Sequence, residues 1–313
     1  MSVVLCNFLL GIGVLLLFLL FSTSTAKAAE AKKKAIIITS FGTRFQKSLR
    51  ADIGGLEAKA EKEFPGYTIF RAFTSKIVMK KLQDEGVMVN SLETTLDDLK
   101  KNGFHTVILQ SAHLTPGQEY TTKIVSVAQK YKDAFSVFTI GRPIMTLPNK
   151  QSGENVPDDF VILREALLKR QIPAKKAGTE VVLMGHGSPR QHNPAYEALQ
   201  AAFDEQNLLV TIGVLEKNDY PNLDAVLERL RSKPETKAVI LMPLLLTAGD
   251  HVHKDMMGED ASSWKSTLER AGYEVQVYFH GLGENPDVLD IYIQHIKDAI
   301  LGQYSLCIAS VIK

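Results

Sequence analysis

The chain carries one pattern twice, and the second copy follows the first at a constant offset of 132 residues. Residues 107–119 (VILQSAHLTPGQE) and 239–251 (VILMPLLLTAGDH) both begin with Val-Ile-Leu, share a Thr and a Gly at matching places, and end in Glu119 and His251. An apolar run broken by such a turn predicts a buried strand that delivers a loop at its carboxyl end. The chain is therefore expected to fold as two similar halves.

A second similarity joins residues 35–43 (AIIITSFGT) and 180–188 (EVVLMGHGS), each an apolar run that ends in a glycine-bearing turn. In open α/β sheets, ligands bind at the edge where such strands end. Two similar halves would therefore direct Glu119, His186 and His251 towards a common cleft. Glutamate and histidine are side chains that bind metal ions and transfer protons.

Apolar runs alternate with segments of helical periodicity, which predicts parallel sheets with right-handed crossovers. The predicted strands are Lys34–Thr39, Thr68–Ala72, Thr106–Ser111, Ala134–Ile140, Glu180–Met184, Val210–Leu215, Lys237–Leu246 and Glu274–Phe279, and the helices between them include Phe45–Phe64, Glu119–Lys132 and Phe160–Arg170. The segment Gly141–Asp158 holds three prolines and two glycines, which indicates a connector. We predict an α/β fold of two similar doubly wound lobes, residues 29–150 and 151–313, whose parallel sheets face a central cleft.

The amino terminus has the pattern of a secretory signal peptide. Residues 7–21 are almost wholly apolar, and Ala26-Lys27-Ala28 follows as a small-residue cleavage site. We predict that residues 1–28 are removed and that the mature chain is periplasmic, with no stable membrane insertion after cleavage. An uncleaved membrane anchor is the alternative, although a spanning helix usually needs about 20 apolar residues.

The net charge and the cysteine content argue against nucleic-acid binding and against thiolate metal ligands. The formal net charge of the 313-residue chain is +1, which gives no basic surface of the kind that nucleic acid requires. The two cysteines are Cys6, inside the predicted signal peptide, and Cys307, so the mature chain can form no internal disulfide. Metal binding would rely on histidine and carboxylate rather than thiolate ligands.

The candidate ligands also have simpler explanations when each is taken alone. His186 stands between two glycines, which let a flat ligand approach, but such a histidine can also satisfy a loop carbonyl. Glu119 could be an ordinary first-turn glutamate that interacts with the helix dipole. His251 and His253 alternate, so only one of them can face the cleft, and the position equivalent to Glu119 favours His251. Glu216 also follows an apolar run, where a solvated loop residue is common.

The first strand ends in a loop that can cradle an anionic group through hydroxyls and backbone amides. The loop lacks the spacing of a P-loop or of a dinucleotide site, so nucleotide binding is disfavoured. The chain also has no Gly-x-Ser-x-Gly motif, which argues against a serine hydrolase. The residues expected to contact a ligand around the first strand end and around His186 are Ser40, Phe41, Gly42, Thr43, Gly185 and Gly187.

Taken together, seven segments resemble the anaerobic cobalt chelatases, which are sirohydrochlorin cobaltochelatases of the class II chelatase superfamily. The segments are SFGT (residues 40–43), FRAFTS (70–75), ILQSAHLTPGQEY (108–120), DDFVILREAL (158–167), MGHGS (184–188), LMPLLLTAGDHVHKDM (241–256) and GLGENP (281–286). The resemblance implies the same two-lobed fold, with a tetrapyrrole held in the cleft. It also implies that the partners are a tetrapyrrole and a divalent metal ion and that no cofactor is required.

The resemblance covers residues 34–300 and implies a lyase that inserts Co²⁺, and also Fe²⁺, into sirohydrochlorin with loss of two pyrrole protons. It implies that His186 is the catalytic base and a metal ligand, and that Glu119 and His251 are the other metal-binding residues, with Glu119 also catalytic. Glu216 is added as a further carboxylate ligand. Imidazole and carboxylate ligands suit several divalent ions, so both metals are expected to react.

Sirohydrochlorin carries many carboxylates, and cationic side chains near the recognised motifs are expected to pair with them. These residues are Arg44, Arg71, Lys76 and Arg190. Assembly into a homo-oligomer is compatible with this prediction. The alternatives are a non-catalytic periplasmic protein on the same fold that binds metal or haem or transports tetrapyrroles, and a two-lobed solute-binding protein.

Overall fold

The computed structural model describes residues 32–146, 158–190 and 192–304. The predicted signal peptide (residues 1–28), the predicted lobe boundary at residues 150 and 151, and the tail that carries Cys307 lie outside the described residues. In the described part, no helix combines the length and the apolar character needed to cross a bilayer.

Two four-stranded parallel sheets form the framework. The first contains β1 (Lys34–Ser40), β2 (Thr68–Phe73), β3 (Thr106–Ser111) and β4 (Val137–Gly141) in the order β2-β1-β3-β4. The second contains β5 (Thr179–Gly185), β6 (Val210–Val214), β7 (Ala238–Pro243) and β8 (Glu274–Val277) in the order β6-β5-β7-β8. The two orders are equivalent, which confirms the prediction of two similar doubly wound lobes. Strand β7 ends three residues before the predicted end at Leu246, because Pro243 has no amide hydrogen to continue the ladder.

Ten α-helices connect the strands or flank them in the described part of the chain. They are α1 (Gln46–Ser48), α2 (Gly54–Glu63), α3 (Lys76–Asp84), α4 (Leu92–Lys101), α5 (Ser126–Lys130), α6 (Asp159–Ala166), α7 (Ala195–Asp204), α8 (Leu223–Arg231), α9 (Trp264–Arg270) and α10 (Pro286–Ile300). Short polar side chains cap many of their first turns. Ser75, Ser91 and Asn222, for example, accept hydrogen bonds from the amides of Val78, Thr94 and Ala225.

Several predicted helices are not α-helical throughout. The structure places π-helical turns at Leu49–Ile53, Tyr120–Val125, Leu167–Gln171 and Val252–Met256, and a 3₁₀ turn at Leu282–Glu284. Three of the π-helical turns lie within, at the start of, or at the end of segments that the sequence predicts as continuous helices. Apolar periodicity does not reveal them, because a segment of five or six residues is too short to distinguish a single π-helical turn from an α-helical one.

The apolar core runs continuously from one lobe to the other. Along β1, Ile36 and Ile38 point into a large central cluster, while Ala35 and Ile37 point into a cluster on the outer face of the first sheet. Strand β5 alternates in the same way between the central cluster and an outer cluster of its own. The central cluster contains residues of both sheets and of α10, so the lobes share a core.

Helix α10 follows the second lobe in the chain but packs on the first sheet. It contacts β3, β4 and α2, and the Tyr292 hydroxyl donates a hydrogen bond to the Ala112 carbonyl at 3.0 Å. The predicted second lobe, residues 151–313, therefore includes a helix that covers the first sheet.

A buried ionic cluster holds α10 against the first lobe. The Arg142 guanidinium, just after β4, bonds Asp159 on α6 (Nε to Oδ2, 2.8 Å) and Asp298 on α10 (Nη1 to Oδ2, 2.6 Å). His295 Nε2 lies 3.2 Å from Asp159 Oδ1, and all four side chains are at most 5 % exposed. Burial opposes ionisation of Asp159, but hydrogen bonds from His295 and Arg142 prevail and lower its pKa.

Asp52 is a second buried acid, located where the lobes meet. Its side chain belongs to the π-helical turn after α1 and is fully buried, and neither carboxylate oxygen has a hydrogen-bond partner among the described residues. A Cβ atom on Gly281 would stand 2.9 Å from Asp52 Oδ1, and one on Gly283 would stand 2.5 Å from Asp52 Cα, so two glycines of the second lobe make room for it.

Candidate functional site

A cavity of about 430 Å³ lies between the carboxyl ends of the two sheets. Its wall is built mainly from the loops that follow β1, β3, β5 and β7, the two central strands of each sheet. In each sheet the chain leaves the two central strands in opposite directions, which makes their ends a topological switch point, where ligands bind in such folds. The cavity therefore combines two switch points, one from each lobe.

His186 directly follows β5 and lines this cavity. Its Nδ1 atom is 3.1 Å from the Gly187 carbonyl oxygen, which can only accept, so that contact places the ring hydrogen on Nδ1 and leaves a lone pair on Nε2. Gly187 has a φ of +80° and a Cβ atom there would stand 2.9 Å from Val214, so only glycine suits this turn. The ring centroids of His186 and His251 are 4.7 Å apart, with the planes at 79°.

Glu119 and His251 occupy equivalent places in the two lobes. Each immediately precedes a π-helical turn, Tyr120–Val125 or Val252–Met256, and each lines the cavity. Thr74 donates a hydrogen bond to Glu119 Oε1 at 2.8 Å, and the Nδ1 atom of His251 is 2.8 Å from a carboxylate oxygen of Asp255. A carboxylate behind Nδ1 orients a histidine and leaves Nε2 for a ligand. His253, by contrast, stacks on an aromatic ring outside the cavity lining.

The structure does not bring every predicted residue to the cavity. Glu216 is not among the described residues that line it; its backbone amide instead donates to the His186 carbonyl at 3.0 Å. Ser40 and Gly185, the last residues of β1 and β5, do not line it either. The remaining predicted contact residues, Phe41, Gly42, Thr43 and Gly187, do line the cavity.

Of the cationic side chains that the sequence singled out, Arg44 lines the cavity. Its Nη2 atom pairs with Asp250 Oδ1 at 3.3 Å across the two lobes. Arg71 instead pairs with Glu57 on α2, and both residues line a separate surface groove. Lys76 and Arg190 are exposed. Lys123 is a further cation in the cavity wall.

His113 is a site residue that the sequence reasoning did not select. It lies in the loop after β3 and lines the cavity, and its Nε2 atom is buried without a hydrogen-bond partner among the described residues. Burial, followed by the charge of nearby His186, lowers the pKa of His113 to about 4. The available signal was its place in the repeated segment, six residues before Glu119.

Asp219 is a second residue that the sequence did not reveal. Its buried carboxylate accepts hydrogen bonds from the amides of Ser188 (2.8 Å), Asn193 (3.0 Å) and Tyr220 (2.8 Å). These bonds hold the loop that follows His186. Within the described residues, no three His, Cys, Asp or Glu side chains stand close enough together to hold a metal ion.

The sequence from β1 to the end of α10 matches one known family, described as cobalt chelatase (CbiK), over residues 34–301. The chain belongs to the cobalt chelatase family. This membership confirms the resemblance inferred from the seven segments.

Two curated relatives extend over nearly the same region. Sirohydrochlorin cobaltochelatase of Salmonella typhimurium is 34 % identical over 269 residues, which is 86 % of this chain and 97 % of the relative. Sirohydrochlorin cobaltochelatase CbiKC of Nitratidesulfovibrio vulgaris is 30 % identical over 269 residues, covering 86 % of this chain and 91 % of the relative.

Solved structures agree with the fold. The sirohydrochlorin chelatase SirB from Bacillus subtilis subspecies spizizenii in complex with cobalt superposes with a TM-score of 0.53 at 17 % identity, covering 87 % of this chain and 99 % of that one. SirB from Bacillus subtilis with Fe³⁺ gives 0.52 at 18 % identity, with the same coverage. The two-lobed architecture of this cobalt chelatase family member is therefore that of known chelatases.

Proposed function

We propose that this chain inserts Co²⁺ into sirohydrochlorin. The observation that carries the proposal is the cavity between the two switch points. In it, His186 presents a free Nε2 atom, and the ring centroids of His186 and His251 are 4.7 Å apart. Membership of the cobalt chelatase family supports the same reaction, and both curated relatives bear the name of that activity.

The chemistry requires that two pyrrole N–H protons leave while a divalent ion loses its water and binds the ring nitrogens. His186 is the proposed base, because the lone pair on its Nε2 can accept a pyrrole proton directly. Once that proton has passed to solvent water, the same atom can accept the second one. His251 and Glu119, on the opposing loops, would hold the ion as water leaves, and the negative charge of Glu119 would offset the charge of the ion. The metal ion is a substrate of this reaction.

Imidazole and carboxylate ligands do not discriminate strongly among Co²⁺, Fe²⁺, Ni²⁺ and Zn²⁺. We therefore expect both cobalt and iron to be inserted. The ring carboxylates of sirohydrochlorin have cationic partners available in Arg44 and Lys123 on the cavity wall. Protoporphyrin, which has fewer carboxylates, is expected to be the poorer substrate.

The proposal is tested with purified protein, sirohydrochlorin and Co²⁺ or Fe²⁺, with product followed by its visible absorption. Formation of cobalt sirohydrochlorin faster than in protein-free buffer is the expected result. Failure with both ions would reject the enzyme, and tetrapyrrole retention without product would favour a non-catalytic binding protein on this fold. Faster insertion into protoporphyrin under the same metal would overturn the substrate assignment alone.

We also propose that the mature chain works in the periplasm, since residues 1–28 have the pattern of a cleaved signal peptide. Export would separate it from cobalamin synthesis in the cytoplasm, so its role there would be periplasmic metal or tetrapyrrole handling. Fractionation of cells that express the full chain tests this proposal. Recovery with the cytoplasmic marker would contradict it.

A further inference from the structure

The proposed reaction gives no role to His113, a histidine of the cavity wall. His113 lines the cavity wall, and its Nε2 atom is buried and has no hydrogen-bond partner among the described residues. Proteins leave few buried polar atoms unpaired, because removal from water without a new partner is unfavourable. An unpaired ring nitrogen at a binding cavity therefore indicates that its partner arrives with the ligand.

The other ring nitrogen of His113 is held by its own loop. Nδ1 lies 3.2 Å from the Ser111 hydroxyl oxygen, and the same oxygen accepts the His113 backbone amide at 3.1 Å. When Nδ1–H donates to Ser111, Nε2 presents a lone pair. Histidines that bind metal ions are oriented in this way, with the second ring nitrogen donating to a polar group behind it.

Other candidate metal ligands line the same cavity as His113. His186 is close enough for its charge to disfavour a second positive charge on His113. Glu119 and His251 line the same cavity. These side chains do not stand close enough together to hold an ion as they are. A divalent ion bound to His113 would therefore have to draw a second side chain towards it, and imidazole nitrogen and carboxylate oxygen are ligands that Co²⁺ and Fe²⁺ accept.

We propose that His113 Nε2 is a further ligand for the divalent metal substrate, contacting the ion before it enters the tetrapyrrole. The inference rests on the proposed function, because it assigns a role within the same cavity. The step is a ligand exchange: a water molecule leaves the ion, His113 nitrogen takes its place, and no electron or covalent group is transferred. A tetrapyrrole nitrogen or carboxylate as the partner of Nε2 is the competing outcome.

The test is calorimetric titration of Co²⁺ into the purified protein without tetrapyrrole. We compare wild type with His113→Leu and His113→Gln, and use His105→Leu as the matched control, because His105 is partly buried in the same lobe but does not line the cavity. The Kd for Co²⁺ is expected to rise at least about 10-fold in both His113 variants, the order seen when even a supporting group is removed from a metal site. The control should stay within about twofold of wild type.

A second measurement identifies the ligand directly. Co²⁺ shifts the exchangeable ring N–H signals of the histidines that bind it far outside the usual proton range, so each bound imidazole gives its own resonance. Loss of one such resonance in His113→Gln, with thermal unfolding unchanged, supports ligation. His113→Gln is decisive if His113→Leu does not fold.

Unchanged Co²⁺ affinity and an unchanged set of shifted resonances would overturn the inference. If tetrapyrrole affinity alone fell, the partner of Nε2 would be the ring. Because the titration needs no turnover, failure of insertion in wild type would reject the enzyme proposal while leaving the cobalt result readable.

Discussion

Replacing Asp52 with Asn is expected to stabilise the folded chain by an amount that increases with pH. Burial, followed by the charge of Glu284, raises the pKa of Asp52 from 3.8 to about 7, an effect only partly offset by the nearby Ala248 backbone, Ser48 and His280. Between these two values the folded chain keeps a proton on Asp52 that the unfolded chain has released. The stability of wild type therefore falls as pH rises through this window and levels off above it.

The size follows from the same two values. A shift from 3.8 to about 7, at about 1.4 kcal/mol per pKa unit, corresponds to about 4 kcal/mol of stability lost once the group is ionised in both states. Only about 2 kcal/mol of this is lost at about pH 5, and nearly all of it at about pH 8. Asparagine does not titrate, so Asp52→Asn removes this dependence. Its advantage over wild type should grow by about 2 kcal/mol between the two pH values.

The assay is urea denaturation of both proteins at each pH, with the change in unfolding free energy as the readout. Any fixed cost of burying the amide cancels in the comparison between pH values. Asp133→Asn is the matched control, because the Asp133 side chain is 88 % exposed. A difference between wild type and Asp52→Asn that stays constant from about pH 5 to about pH 8 would show that Asp52 is not a buried acid with a raised pKa.

The remaining predictions concern the site, the ionic cluster and the leader. His186→Ala should lower insertion by about 100-fold or more with an unchanged circular dichroism spectrum, and turnover near wild type would place the base elsewhere. Glu119→Ala and His251→Ala should each weaken Co²⁺ binding more than sirohydrochlorin binding, as separate titrations of the two ligands would show. Arg142→Met should lower the free energy of unfolding in urea by about 3–5 kcal/mol, because it removes the guanidinium that balances the charge of two buried carboxylates, Asp159 and Asp298. Mass spectrometry of exported protein should find a chain that begins just after Ala28, and an intact first residue in the membrane fraction would establish an anchor instead.

Much of the fold could be predicted from the sequence because each copy of the repeat contains an apolar strand followed by a turn. The apolar run at Val107 and its copy at Val239 became equivalent central strands, and the constant offset brought Glu119 and His251 to equivalent positions. Glu119 and His251 are each weak candidates when taken alone, and their equivalent positions in the repeat strengthen both. The metal-binding and catalytic roles of these residues stay predictions.

Other features depend on contacts between distant parts of the chain. The burial of Asp52 is created by glycines 229 and 231 residues further along, at Gly281 and Gly283, which no local pattern reveals. Glu216 follows a strand, as predicted, but β6 is an edge strand, and its end lies away from the switch point. His113 was not selected from the sequence, because a free ring nitrogen becomes visible only when every neighbour is placed.

The return of α10 to the first sheet restricts how a large ring can reach the cavity. The chain joins the lobes once between β4 and α6 and again before α10, and the central core continues through both. Swinging the lobes apart would open that core to water. Access to the cavity should therefore depend on the loops at its mouth, such as the one closed by the Arg44–Asp250 pair, while the two sheets keep a fixed spacing. The two lobes would then stay rigid while the loops at the cavity mouth move. The width to which those loops open would set the largest macrocycle that the cavity admits.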